Sequence, residues 1–109
     1  MSNISVWSKL MIEIGDNVKI GADTLIIDSD MHALDYVNRR TPKEDVFHAQ
    51  KKAITIGNDV FIGSRSIICK GVKIGNRAIV GAGSVVTCDI PDDEIWAGNP
   101  ANFVRKINA

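Results

Sequence analysis

Two histidines and two cysteines are the side chains of this 109-residue sequence best suited to proton transfer, nucleophilic attack or metal ligation. His32 ends the stretch Asp28-Ser29-Asp30-Met31-His32. An imidazole with an ordinary pKa of about 6.5 accepts a proton at neutral pH and can serve as a general base. On spacing alone, though, a lone histidine beside carboxylates is by default a surface hydrogen-bonder. His48 lies in a charged segment and reads as solvated. Cys69 and Cys88 have no C-x-x-C spacing and no histidine near Cys88, so they read as free thiols in a reducing cytoplasm. No metal site is expected.

What must position His32 is a repeat. An aliphatic residue recurs every six positions at Ile14, Ile20 and Ile26, then at Ile56, Ile62, Ile68, Ile74, Val80 and Val86. Glycine often follows it, and four positions after it comes a small or β-branched residue: Val18, Thr24, Val60, Ser66, Val72, Ala78, Ser84 and Ile90. Six matches neither the helix nor the strand period, and glycines at this density exclude helix for most of the chain. Each hexapeptide supplies a short strand and a corner, with pairs such as Gly15-Asp16-Asn17 and Gly57-Asn58-Asp59 read as turn chemistry. Three units close a triangular coil. One buried Ile stabilises by roughly 1.5–3 kcal/mol, while each ordered residue costs roughly 1–2 kcal/mol, so coils must stack to hold. The hexapeptides suffice for nearly four coils, in one domain spanning residues 1–109.

Between Met31 and Gln50 the register falls on His32, Asn38 and Glu44, none suited to a dry interior. An eighteen-residue degenerate coil would preserve the register. The charges and proline of Arg39-Arg40-Thr41-Pro42-Lys43-Glu44-Asp45 favour instead a loop over about 32–49, thrown out from one corner. His32 is then the first residue of a loop on a rigid scaffold.

The runs I-G-D-N-V-K-I-G-A-D-T-L, I-T-I-G-N-D-V-F-I-G-S and G-V-K-I-G-N-R-A-I-V-G-A-G-S-V-V-T, ending A-G-N-P-A-N-F-V-R-K-I, closely resemble the hexapeptide-repeat O-acetyltransferases. The likeness is to galactoside and maltose acetyltransferases and especially to sugar- and polysaccharide-modifying members, and covers about residues 10–107. It implies an all-β, left-handed parallel β-helix with a short C-terminal tail, assembled as a homotrimer with coenzyme A in a cleft between subunits. It places the family's catalytic histidine at His32. Acetyl-CoA contacts carry over to Ser64, Ala82, Thr87, Cys88, Asn102 and Arg105; Cys88 stands where relatives have lysine, and Asn102 where some have arginine. By comparison with the family the N-terminus is short, and Trp7 and Leu10 are the residues expected to close that end. A catalytically inactive or truncated trimeric scaffold is the alternative. The zinc hydratase sharing this repeat needs three histidines, and the sequence has two.

Acetyl transfer from a thioester to an alcohol needs a base for the hydroxyl proton, and the departing thiol can be reprotonated by the same imidazolium. General-base help contributes about 10²–10⁴ in rate, with alignment and oxyanion stabilisation supplying the rest. Thirteen cationic residues balance thirteen acidic ones, which gives no field to gather nucleic acid or anionic lipid. A small sugar-like acceptor fits better. With no leader-like N-terminus and no long apolar run, a cytoplasmic location without membrane insertion is expected.

Overall fold

The computed structural model describes residues 3–108. Strands β2 (Ile12–Ile14), β3 (Lys19–Ile20) and β4 (Thr24–Ile27) make the first coil. Strands β5 (Ile54–Ile56), β6 (Phe61–Ile62) and β7 (Ile67–Ile68) make the second, and β8 (Lys73–Ile74), β9 (Ile79–Val80) and β10 (Val85–Val86) the third. Parallel pairing stacks them into three walls, β2-β5-β8, β3-β6-β9 and β4-β7-β10. This is the parallel β-helix expected from the repeat, with the left hand that the family resemblance implies. Three coils are complete, and part-coils at both ends bring the stack to the nearly four expected. Before them, β1 (Ile4–Trp7) pairs with β4; after them, Ile90 bridges to Ile74, and β11 (Glu94–Gly98) pairs with β9.

The six-residue row is the core: Ile26, Ile56, Ile62, Ile68, Ile74, Val80 and Val86 are buried, as are Thr24, Val60, Ser66, Val72, Ala78, Ser84 and Ile90 beside them. The buried hydroxyls are satisfied within the corners, Ser66 Oγ donating to the Gly63 carbonyl (2.8 Å) and Ser84 Oγ to the Gly81 carbonyl (2.5 Å). Ile14 points inward but is 40% exposed, because no strand of its wall lies above it.

The corners fall at the expected Gly-plus-polar groups and show what the glycine does in them. Positive φ falls three residues after the inward aliphatic, at Asn17, Asp23, Asp59, Arg65, Gly71, Arg77 and Gly83, and not at the glycine that follows it. That glycine is needed for close stacking: a Cβ on Gly63 would stand 2.5 Å from the backbone nitrogen of Ala82 in the next coil. A Cβ on Gly83 would meet nothing within 4 Å, but there φ is +71°. Gly63→Ala is therefore expected to destabilise by about 2 kcal/mol through displacement of a neighbouring backbone. Gly83→Ala is expected to cost about 1 kcal/mol through strain alone. Thermal denaturation of the two variants, ranked against wild type, checks the order.

Three further expectations are revised. The interruption is not irregular: it carries α1 (Tyr36–Arg39) and α2 (Pro42–His48), the first capped by Asp35 accepting from the Val37 amide and the second opened by Pro42 after Thr41. Trp7 and Leu10 do not close the N-terminal end, being 53% and 55% exposed. The C-terminal tail is an ordered strand, β12 (Ala101–Lys106), antiparallel to β11 at the edge of the β3-β6-β9 wall. Among the described residues, no helix is long and apolar enough to cross a membrane.

Candidate active site

The loop leaves the solenoid at the corner after β4. Its two ends are zipped together by the Asp30 amide donating to the Gln50 carbonyl, the Lys52 amide donating to the Asp28 carbonyl (both 2.9 Å), and a Ser29–Lys51 bridge. A loop with its ends tied to the rigid stack holds its first residues firmly. Asp30 also pairs with Lys70 of the next coil at 2.8 Å.

His32 stands at the top of this neck. Its Nδ1 lies 2.6 Å from Oδ2 of Asp45, in the first turns of α2, and the other Asp45 oxygen accepts the Ala33 amide at 2.7 Å. Arg39, ending α1, donates to the carbonyls of Ala33 (3.1 Å) and Leu34 (3.0 Å). The two short helices thus grip the backbone just after His32 and one side of its ring. The hydrogen bond from His32, then that from the Ala33 amide, hold the Asp45 carboxyl below its ordinary value against partial desolvation; Arg39 adds to the effect. An ionised Asp45 accepts from Nδ1–H and leaves Nε2 as the proton acceptor, facing outward on a side chain that is 68% exposed. Sequence reasoning missed Asp45. The available signal was Thr41-Pro42-Lys43-Glu44, a helix-start pattern that places Asp45 on a helix rather than in a solvated charge run. His48 instead pairs with Glu44 one turn earlier, at 3.2 Å, away from this arrangement.

The residues expected to meet a cofactor divide into groups. Ser64 and Ala82 stack in register on the corner between the β3-β6-β9 and β4-β7-β10 walls. With Ala22, Asp23, Arg65 and Gly83 they line a shallow groove of ≈ 530 Å³. Asn102 lies opposite Ala97, which packs over Gly81 beside that groove, and its amide donates to the Pro100 carbonyl. Arg105 lies opposite Ile95, with its guanidinium turned back onto the carbonyls of Lys106 and Ile107. Thr87 and Cys88 are elsewhere: both are exposed on the far corner of the β4-β7-β10 wall, below Cys69 and Lys70 and on the corner from which the His32 loop departs. Within one chain, His32 and the groove stand at opposite edges of one wall.

A family model described as the hexapeptide repeat of succinyl-transferase matches residues 53–88. The galactoside O-acetyltransferase of Escherichia coli K12 is 38% identical over 106 residues, which is 97% of this chain and 49% of that protein. The chain belongs to the hexapeptide-repeat family. Solved structures of this family superpose closely. A galactoside acetyltransferase in complex with coenzyme A matches with a TM-score of 0.87 at 37% identity, over 97% of this chain and 50% of that one. A hexapeptide-repeat acetyltransferase from Vibrio cholerae complexed with acetyl coenzyme A matches with a TM-score of 0.84 at 38% identity, over 96% and 54%. The chain spans about half the length of these hexapeptide-repeat relatives.

Proposed function

We propose that this chain forms the catalytic β-helix of an acetyl-CoA-dependent O-acetyltransferase acting on a hydroxyl of a sugar or related acceptor, with His32 as the general base. The observation that carries the reading is the His32–Asp45 pair at 2.6 Å, which fixes the imidazole with its Nε2 free. A base held in one tautomer by a carboxylate, at the mouth of a loop on a stiff scaffold, suits removal of an alcohol proton. Asp45 is a positioning residue: it orients the ring and stabilises the imidazolium once the proton has moved.

The Ser64–Ala82 groove suits a long, thin cosubstrate. Its floor is made of small residues, and open space over Gly83 admits close approach to backbone. Ser64 and Ala82 would flank the pantetheine arm, and Asn102 and Arg105 would lie toward the phosphates, with Thr87 and Cys88 contributing from the loop-side corner. Acetyl-CoA supplies an activated acyl group whose thiolate leaves readily. The relatives named as galactoside O-acetyltransferases support a sugar acceptor. A homotrimer is part of the proposal, because the base and the groove lie on opposite edges of one wall, and so is a cytoplasmic location, where acetyl-CoA is available.

The test is thiol release from acetyl-CoA measured with a panel of galactosides, glucosides and maltose. Acceptor-dependent release by at least one sugar is expected. Saturable binding of coenzyme A with no turnover on any hydroxyl acceptor would favour a non-catalytic scaffold instead.

A further inference from the structure

We infer that the acceptor carries an acidic group, a carboxylate or a phosphoryl, which seats between Lys9 and Lys51 beside the His32 loop. The inference rests on the acetyltransferase reading above and names the class of hydroxyl compound which that reading leaves open.

The seat is a small cavity of ≈ 50 Å³ at the base of the loop, lined by Lys9, Ser29, Met31, Val46, Ala49 and Lys51. Its place is tied to the His32–Asp45 pair. Met31 precedes His32 and Val46 follows Asp45, so the cavity is walled by chain neighbours of both partners. Met31 has a φ of +66°, which turns the backbone sharply between the cavity and the histidine. Consecutive Cα atoms are about 3.8 Å apart, so a compound anchored against Met31 stands within reach of the imidazole.

The chemistry of the cavity is one-sided. Its polar side chains are two lysines and a serine, and no carboxylate lines it. Ser29 is only 5% exposed; its Oγ accepts the Met31 amide at 3.3 Å, and its own O–H donates to no group among the described residues. Lys70, in the next coil, is occupied by Asp30 at 2.8 Å, whereas Lys9 and Lys51 form no ion pair among the described residues. Two unpaired cations and a spare buried donor, with no acidic side chain, are the surroundings that an anion requires. The sequence has thirteen residues of each sign, so this local excess is not a by-product of a basic chain.

Size decides which part of the acceptor enters. A space of ≈ 50 Å³ admits a carboxylate or phosphoryl group but no sugar ring. A hollow of ≈ 260 Å³, lined by Val6, Trp7, Ser8, Lys9 and Met31, shares Lys9 and Met31 with it and takes the ring. Trp7 offers that ring an exposed apolar face to lie on.

The ratio of kcat/KM for an acidic acceptor over its neutral parent tests the seat. It is measured by thiol release with glucose beside glucose 1-phosphate, glucose 6-phosphate and glucuronic acid, and with the galactose series. For at least one acid, wild type is expected to show a ratio of about 10–100, carried mainly by KM and shrinking as salt rises. Preference for the phosphates identifies a sugar phosphate as the acceptor, and preference for the uronic acids a uronic acid. Lys51→Gln keeps the length of the side chain and removes its charge, so the ratio is expected to fall by about tenfold. A wild-type ratio near one for every acid overturns the inference and leaves the acetyltransferase reading standing. So does Lys51→Gln with the wild-type ratio, or with weakened coenzyme A binding in place of a changed ratio, because the lysine would then serve the cofactor. If wild type turned over no acceptor, the acetyltransferase reading would fail, while calorimetric titration of the same acids into wild type and Lys51→Gln would still decide the cavity. Tighter binding to wild type supports it; equal or absent binding overturns it.

Discussion

His32→Ala is expected to lower kcat/KM for the acceptor by about 10²–10⁴-fold while leaving coenzyme A binding unchanged. The loss corresponds to about 2.7–5.4 kcal/mol of transition-state stabilisation, the usual worth of a positioned base. It should not reach the uncatalysed rate, because alignment of the two substrates survives the change. The ring is largely exposed and buries little surface, so its removal should cost little stability. The effect then reads as chemistry rather than folding. Asp45→Asn separates base from orienter. An amide can present either its oxygen or its NH₂ to Nδ1; the second choice puts the proton on Nε2, the nitrogen that must accept one. Because His32 is open to water and can be reoriented, a fall of about 10- to 100-fold in kcat is expected, smaller than for His32→Ala, with KM for acetyl-CoA little changed. Steady-state kinetics by thiol release, paired with calorimetric titration of coenzyme A, checks both variants. Equal activity of wild type and His32→Ala would remove His32 from the mechanism.

The repeat was legible because one buried aliphatic every six residues is a period that no other regular structure shares, and nearly every position in that row from Ile26 onward lies in the core. The Gly-plus-polar groups were legible as turns, but the part played in them by the glycine itself was not. Residue type reports that a Cβ is forbidden, whereas only the stacked coil shows that the obstacle at Gly63 is the backbone of Ala82. The loop was legible from its charges and proline, and His32 from its place at the loop's start. Asp45 was not, because two helices fold it back thirteen residues onto the ring, a contact that no local spacing encodes. The separation of Ser64 and Ala82 from Thr87 and Cys88 was written in the period itself: eighteen residues, one full coil, separate Ser64 from Ala82 and keep them on one corner, whereas Cys88 lies six residues, one hexapeptide, beyond Ala82 and falls on the next.

The loop also shows how a small, half-helical insertion can hold a histidine in a set orientation. None of the residues of α1 and α2 is buried, so these helices hold their shape through caps and tethers rather than a core. The tethers converge on Ala33, whose amide binds Asp45 and whose carbonyl binds Arg39, and on the neck zipped to residues 50–52. Below the neck sits Asp28, fully buried, four residues before His32.

Asp28→Asn is expected to be the most destabilising single polar substitution in the molecule, at about 3 kcal/mol. One Asp28 oxygen accepts the Lys9 amide at 2.7 Å; the other accepts the amides of Leu10 (2.9 Å) and Met11 (2.8 Å) and the Ser8 hydroxyl (2.9 Å). Four donors converge on one carboxylate and fasten the segment before β2 to the corner after β4. An amide has one oxygen, so either orientation points its NH₂ at a backbone donor. The segment 8–11 is itself exposed, so freed donors regain water, which holds the expected cost to about two charge-assisted hydrogen bonds. The pH dependence has a definite sign. Burial alone would raise the Asp28 pKa, but the amides of Lys9 and Leu10, the Ser8 hydroxyl and the Met11 amide together bring it below the ordinary 3.8. A carboxylate whose folded pKa is depressed contributes stability that is fully present above its unfolded value of about 3.9 and is lost as pH falls through the folded one. Wild type should therefore exceed Asp28→Asn in melting temperature by a constant margin near neutrality, and the margin should shrink below about pH 4. Thermal melts of both proteins from pH 7 to pH 2.5 measure that difference and remove the shared contributions of Asp45 and Asp93, which are depressed in the same direction. A margin independent of pH would show that packing, not charge, makes Asp28 the anchor beneath the histidine loop.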